Sequence, residues 1–206
     1  MPAVSRIKRY AAGILFLATL ILMLNWLWER PIFPHGGIPF FWEKLIPVPQ
    51  FFQADPRWRD DRLGGTNGAL GSEGCAVTSA AMVLGSYGID VDPGRLNRFL
   101  TAHQGYEEAG WIRWESVAEI SPGIIEKAYE NFPSYARIDL NLLLGNPVIV
   151  RVRRADGMNH FVVIVGKRGF DYLIRDPSRA EGGGKVYPLA DLGVPIEALR
   201  YYRKLK

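Results

Sequence analysis

The stretch GSEGCAVTSAAMVL, residues 71–84, contains the only cysteine of the 206-residue chain, Cys75. Glycines precede Cys75 and an apolar run follows it, which predicts that the cysteine lies in the first turn of a helix. Backbone N–H groups in a first turn lack partners within the helix, and together with the helix macrodipole they favour the thiolate. Because the thiolate is the reactive form of cysteine, this position suits a nucleophile, although a helix start alone is only suggestive.

The composition narrows the class of protein. Hydrophobic residues make up 48% of the chain and aromatic residues 12%, which indicates one packed domain plus a tail or anchor. The net charge of +4 is modest and the basic residues are dispersed, so we expect no nucleic-acid partner. One cysteine permits no internal disulfide, and His35, His103 and His160 are too widely spaced for the usual zinc patterns. We therefore expect no metal and no other cofactor, and we expect His35 and His103 to lie on the surface.

An uncharged apolar segment, residues 10–28, is long enough to cross a bilayer as one helix. Residues 1–9 are basic, whereas the charges of Glu29 and Arg30 on the other side cancel. This asymmetry predicts a signal anchor with a cytoplasmic N-terminus and the remainder of the chain outside the cytoplasmic membrane. A cleaved signal peptide and a cytosolic protein with a buried apolar helix are the alternatives, and no small-residue cleavage site follows the segment.

Residues 29–47 are rich in proline and aromatic side chains. This composition predicts a stiff linker close to the membrane. The folded domain is then expected to occupy residues 48–206.

Within that domain, the pattern of apolar residues predicts helices first and strands later. Helix signals cover residues 76–87, 93–103, 111–120 and 139–144, and strand signals cover residues 148–154, 160–165 and 171–175. Asp92 and Pro93 suit the cap and first turn of the second helix, and Gly88 suits the end of the first. Val148, Val150 and Val152 should share one face of their strand. Helices that precede an antiparallel sheet indicate an α+β fold.

The two later strands also predict a contact between His160 and Asp176. If a three-residue loop with Gly169 in the left-handed position joins them, counting outward places His160 directly opposite Asp176. A carboxylate there would fix the tautomer of the imidazole and leave its other nitrogen for a thiol. A slip of one residue would send Asp176 to the other face. Considered separately, each residue is more often structural, with the aspartate capping a turn before Pro177.

Five segments in this order resemble the papain-like cysteine peptidases that process double-glycine leaders of bacteriocins, especially the stand-alone branch of that family. The resemblance extends over about residues 48–191. The segments are VPQFFQADPRW (48–58), GCAVTSAAMVL (74–84), GNPVIV (145–150), NHFVVIVG (159–166) and IRDP (174–177).

The resemblance implies a papain-like fold, in which N-terminal helices pack on an antiparallel sheet. It implies that Cys75 is the nucleophile, that His160 is the general base and acid, and that Asp176 orients the imidazole. Gln53 matches the glutamine whose side-chain amide helps to form the oxyanion hole, and Gln50 is a weaker candidate for that role.

Two features differ from the transporter-fused members of that family. About 22 positions separate Gln53 from Cys75, whereas only a few separate the two residues in the fused peptidases. The glycine-rich residues 64–68 also lack the lysine of a phosphate-binding loop. Specificity for double glycine is therefore not carried over.

The predicted function is that of a membrane-anchored cysteine peptidase that hydrolyses peptide or protein substrates outside the cytoplasmic membrane. One alternative is a peptidase or amidase of cell-wall peptides, since such enzymes use a related cysteine–histidine pair, and transglutaminase-like proteins share the Cys-His-Asp order. Another is a non-catalytic module that binds peptides on the same fold. Trp58, Trp111 and Trp114 fit either a peptide groove or the core.

Overall fold

The computed structural model describes residues 13–20, 23, 30–179 and 184–205. The chain divides into two compact units, Met1–Arg30 and Pro31–Lys206. In the first unit, residues 13–20 are helical. The basic N-terminus and most of the predicted anchor, residues 10–28, lie outside the described residues. Among the residues that are described, no helix has the length and apolar character needed to span a membrane.

The second unit combines short helices with an antiparallel sheet, so the predicted α+β class is confirmed. Its α-helices are α1 (Leu70–Glu73), α2 (Cys75–Ser86), α3 (Pro93–Ala102), α4 (Trp114–Ala118) and α5 (Tyr135–Leu144). Its strands are β1 (His35–Leu45), β2 (Ile125–Asn131), β3 (Val148–Arg153), β4 (Asn159–Arg175), β5 (Tyr187–Pro188) and β6 (Ile196–Lys204), and a short 3-10 helix covers Leu189–Leu192.

The sheet has the order β1-β4-β3-β6-β2, and β5 pairs with β4. Apolar residues fill both of its faces. On one face, Ile149 of β3 packs with buried residues of α2, α3 and α4. On the other face, Val148, Val150 and Val152 pack with Ile138 of α5. The predicted common face of the three valines is confirmed, but one helix lies opposite the others, so the sheet is covered on both sides.

Several helix boundaries follow from local signals in the sequence. The Asp92 side chain accepts a hydrogen bond from Arg95 N (2.7 Å) at the start of α3, as an N-cap does. Gly88, with φ of +84°, follows α2, and Gly145, with φ of +82°, ends α5. Glycine adopts this left-handed conformation more readily than residues with a side chain.

Two helices differ in length from the prediction. The helix expected over residues 111–120 is reduced to α4, because Ile112 forms a bridge with Tyr106 that keeps the preceding residues extended. The helix expected over residues 139–144 begins earlier, at Tyr135, directly after the extended residue Ser134.

Residues 35–45, predicted as part of the linker, instead form β1 at the edge of the sheet. An edge strand tolerates a residue such as Pro39, because one of its sides needs no hydrogen-bond donors. The strand pairs with β4 irregularly, with register shifts before and after Phe40. The folded unit therefore begins before residue 48.

Candidate active site

The chain reverses direction within β4. His160 lies near the start of this strand and Asp176 directly after its end, yet His160 Nε2 is 2.9 Å from Asp176 Oδ1. A straight strand would separate residues sixteen positions apart by about 50 Å. Gly169 has φ of +58°, as the predicted loop requires. The predicted contact between His160 and Asp176 is therefore confirmed, although the two predicted strands are continuous as one element.

Other side chains hold the Asp176 carboxylate in place. Its Oδ1 accepts hydrogen bonds from the Ser178 backbone N–H (2.8 Å) and hydroxyl (2.8 Å), and its Oδ2 accepts one from the Tyr187 hydroxyl (2.8 Å). Burial alone would raise the pKa of Asp176, but hydrogen bonds from His160 and Ser178 and the charge of His160 lower it to about 2. The carboxylate is therefore ionised at neutral pH and fixed in orientation.

The His160 imidazole lies between a carboxylate and a thiol. Its Nε2 is hydrogen-bonded to Asp176, which leaves Nδ1 as the nitrogen available to the neighbouring Cys75 side chain. Burial by itself would lower the pKa of His160, but hydrogen bonds and charge from Asp176 and Cys75 raise it to about 9. The ring can thus hold a proton taken from the Cys75 thiol at neutral pH.

Cys75 is the first residue of α2 and is 8% exposed. Gly74 alone separates it from α1, and a Cβ atom at Gly74 would overlap the backbone oxygen of Leu70. Glycine is therefore needed for the close junction of the two helices that presents the cysteine. The predicted placement of Cys75 at a helix start is confirmed.

Gln53 is close to the same junction. Its backbone N–H donates to Pro177 O (2.9 Å), and its side-chain Nε2 donates to Gly71 O (2.9 Å). In a continuous helix, Gly71 O would accept from the N–H of Cys75, four residues later. Because a carbonyl accepts, the Gly71 contact identifies the amide nitrogen of Gln53 and leaves its second N–H group for another acceptor.

Gln50 lies on a different side of the His160–Asp176 pair. Its Nε2 donates to Asp176 O (3.0 Å), and it lines a smaller pocket next to Asp176 instead of the cavity at Cys75. Gln53, in contrast, lines the larger cavity. The geometry thus distinguishes the two glutamines that the sequence left as candidates of unequal strength.

A cavity of about 1000 Å³ opens next to Cys75 and His160. Trp111 and Trp114 line it, whereas Trp58 is buried in the core. Its volume is at the upper end of the range typical of ligand pockets, about 300–1,000 Å³. His35 and His103 are exposed, as predicted, and neither lines the cavity.

A family model described as the Peptidase_C39 like family matches residues 45–203. The chain belongs to this family. The match confirms the papain-like resemblance and indicates a cysteine peptidase-type function for the C39-like domain. Most of β1 precedes the matched region. No curated protein matches the chain significantly.

Some residues of the C39-like site were not predicted. Ser178 was detectable, because an aspartate whose side chain bonds the backbone two residues later forms an Asx turn, a common pattern around Asp-Pro. Tyr187 reaches Asp176 only because β5 pairs with β4, a long-range contact without a local signal. Arg200, which lines the cavity from β6, was also missed.

Proposed function

We propose that the C39-like domain is a cysteine peptidase in which Cys75, His160 and Asp176 act as a catalytic triad. The observation that carries this proposal is the position of the His160 ring, hydrogen-bonded to Asp176 and next to Cys75 at the wall of a cavity large enough for a peptide. An orienting carboxylate, a base and a nucleophile in contact form the general arrangement for nucleophilic acyl transfer.

Hydrolysis proceeds in two stages. His160 Nδ1 accepts the thiol proton, the Cys75 sulfur bonds to the substrate carbonyl carbon, and the electron pair of the C=O bond moves to oxygen. The tetrahedral intermediate expels the amine, which takes its proton from His160, and an acyl-thioester remains. Water then gives a proton to His160 and attacks the thioester, and the acid is released as Cys75 regains its proton.

Gln53 supports the oxyanion during both stages. Its amide nitrogen has one hydrogen directed to Gly71 O, and the second is available to the substrate oxygen next to Cys75. The Cys75 backbone N–H, at the start of α2, is the second proposed donor. Donors of this kind act where charge develops, in a site largely closed to water.

The test is cleavage of a peptide mixture by the full chain, followed by mass spectrometry. We expect new peptide termini with the wild-type protein and none with the Cys75→Ala variant. Ser86→Ala, which alters another small residue of α2 whose hydroxyl donates within the same helix and which lies outside the cavity lining, is the matched control and should cleave normally. Equal cleavage by wild type and Cys75→Ala would refute the peptidase proposal. A parallel incubation contains muropeptides in place of the peptide mixture. Cleavage of the muropeptides alone would identify a cell-wall substrate.

We also propose that the domain works outside the cytoplasmic membrane and close to its surface. The apolar residues 10–28 support this location, as do Phe41 and Trp42 of β1, which are exposed. Leu143 and Leu144 of α5 add exposed apolar surface beside β1, where Lys44 Nζ donates to Leu143 O (2.7 Å).

The single cysteine permits a direct test of this location. A thiol reagent that cannot cross membranes should label Cys75 in spheroplasts, and Cys75→Ala protein should remain unlabelled. Labelling only after the spheroplasts are lysed would place the domain in the cytoplasm and contradict the proposal.

A further inference from the structure

A buried arginine lines the cavity close to the proposed catalytic residues. Arg200 lies on β6, is 5% exposed, and lines the same cavity as Cys75 and His160. Its guanidinium carbon is 4.4 Å from the centre of the Trp114 ring and 4.9 Å from that of Phe161. The two ring centres are only 5.4 Å apart, so both rings lie on one side of the guanidinium group, where they attract the cation but offer its N–H groups no conventional acceptor.

Most N–H groups of Arg200 have no hydrogen-bond acceptor among the described residues. Nη2 of Arg200 lies 3.5 Å from Glu130 Oε1, a weak contact for an ion pair. Nε and Nη1 are buried, and no described residue accepts a hydrogen bond from either. A buried cation without acceptors is costly, which is why buried arginines are normally paired. Arg200 is thus an unsatisfied donor group at the wall of the cavity.

The carboxylate nearest to Arg200 also binds a second cation. Glu130 lies directly opposite Arg200 in the sheet, but it also binds Lys127 Nζ (2.9 Å). Lys127 has a second partner in Glu115. Two carboxylates thus face two cations here, and the contact of Glu130 with Arg200 (3.5 Å) is longer than its contact with Lys127.

Arg151 adds to this charge on the same face of the sheet. It pairs with Ala198 across the β3–β6 ladder, two residues from Arg200, and it also lines the cavity. Glu197 is 3.4 Å from Arg151 Nε but forms closer hydrogen bonds with Arg153 (2.9 and 3.2 Å). Four acidic residues of the described chain line the cavity, and only Glu130 lies on the sheet; Glu73, Glu107 and Glu115 belong to α1, the segment before α4, and α4. The sheet side of the cavity is therefore basic.

We propose that Arg200, assisted by Arg151, is a carboxylate-binding subsite of the cavity, so that preferred substrates carry a carboxylate close to the bond that is cleaved. This inference rests on the proposed peptidase function. A carboxylate matches the planar fork of a guanidinium group and would satisfy the donors that remain free at Arg200. Its source is an acidic side chain or the C-terminal carboxylate of the substrate.

The experiment compares four versions of one peptide. This peptide contains a site that the wild-type protein cleaves. If no peptide is cleaved, a peptide that the protein binds is used instead. The versions carry Glu or Gln beside that site, each with a free or an amidated C-terminus. Binding is measured calorimetrically to the full-chain Cys75→Ala protein, which requires no catalysis. We expect a charged peptide to bind at least about tenfold more tightly than its neutral counterpart, as charge-assisted hydrogen bonds imply. Preference for Glu identifies a side chain as the source, and preference for the free terminus identifies the C-terminal carboxylate.

Substitution of Arg200 then assigns the preference to this residue. In the Cys75→Ala background, Arg200→Met should reduce the ratio of charged to neutral binding to about one, and Arg200→Lys should leave an intermediate ratio. Arg203→Met, which removes an exposed arginine of the same strand outside the cavity lining, should leave the ratio unchanged. The ratio is measured within one protein and does not depend on the folded fraction. Should Arg200→Met fail to fold, Arg151→Met replaces it and should lower the ratio.

Equal binding of charged and neutral peptides to the Cys75→Ala protein would overturn the subsite, whether or not the wild type hydrolyses peptides. Preference retained in Arg200→Met would overturn it as well. Conversely, charge-dependent binding without hydrolysis by the wild type would retain the subsite and refute the peptidase function.

Discussion

Two buried charged pairs involve residues at or next to β4, one near its turn and one near its open end. Near the turn, Lys167 Nζ is 2.6 Å from Asp139 Oδ1 and 2.7 Å from Gly36 O, and Tyr172 OH donates to the same carboxylate oxygen (3.0 Å). Near the open end, His160 pairs with Asp176 at 2.9 Å. Both pairs are buried and hydrogen-bonded, but their surroundings differ.

The Lys167 pair is closed on all sides. Lys167 is 0% exposed, Phe40 and Tyr172 pack their rings against its amine, and Asp139 Oδ2 accepts from Ile38 N (2.8 Å). Its partners come from β1 and α5, so the pair fixes the edge strand to the rest of the sheet. The His160 pair instead has a ring nitrogen that faces a thiol at the wall of a cavity. Burial and charge are common to the two pairs, and an accessible open position distinguishes the one suited to chemistry.

The largest expected effect is the loss of hydrolysis in His160→Gln. Glutamine can keep a hydrogen bond to Asp176 but cannot accept the thiol proton, so kcat/KM should fall by about 10⁴-fold or more. Lys167→Met should leave kcat unchanged per folded molecule, as measured by active-site titration. A comparable fall in both variants would show that the two pairs do not differ in function.

The Lys167 pair should dominate stability. Lys167→Met leaves a buried carboxylate without its main cation, so we expect the free energy of unfolding to fall by about 3–5 kcal/mol, measured by urea denaturation. Replacing both partners, in Lys167→Met with Asp139→Leu, should recover much of this loss because no unpaired charge remains. A double variant as unstable as the single one would indicate that the pair contributes mainly through packing.

Gln53 and Gln50 allow a second comparison, between a residue that lines the cavity at Cys75 and one that does not. Gln53→Ala should reduce kcat by about 10²–10³-fold with little change in KM, since loss of one oxyanion donor has this effect. Gln50→Ala, whose amide contacts backbone oxygens of Phe51 and Asp176, should retain most activity. Single-turnover kinetics measure both. Normal turnover by Gln53→Ala would exclude it as a donor.

The smallest effect is the dependence of stability on pH. The pKa of His160 is raised from 6.5 to about 9, so its contribution is complete below pH 6.5 and is lost as the pH rises through about 9. The pKa of Asp176 is lowered from 3.8 to about 2, so its contribution is present above pH 3.8 and is lost as the pH falls through about 2.

We therefore expect the free energy of unfolding of the wild type to exceed that of His160→Gln by up to about 3 kcal/mol. The difference should be largest between about pH 4 and 6.5. Urea unfolding across pH 2–10 measures this difference. A difference that stays constant over the whole range would show that the charges of the pair do not contribute to folding.

Local patterns in the sequence predicted the features that depend on neighbouring residues. The cap at Asp92, the left-handed Gly88 and Gly145, the start of α2 at Cys75 and the meeting of His160 with Asp176 all follow from short-range rules. The wrong length of α4 arose because the Tyr106–Ile112 bridge overrides the helical pattern.

Features that depend on distant partners could not be predicted in this way. Residues 35–45 have a linker-like composition, and they form a strand because they pair with β4 and because Lys167 and Asp139 bind their backbone. The buried state of Arg200 likewise depends on Trp114 and Phe161, which are distant in sequence and meet it only when the sheet forms.

Gly74 has a consequence for any attempt to re-engineer this protein. A single methyl group at this position would require α1 and α2 to separate, because the Leu70 oxygen already occupies the space. The Cys75 sulfur would shift with α2, whereas the His160 imidazole belongs to β4 of the sheet. The distance between the Cys75 sulfur and the His160 ring therefore depends on the missing Cβ atom of Gly74. A Gly74→Ala chain would keep every reactive group but lose their alignment.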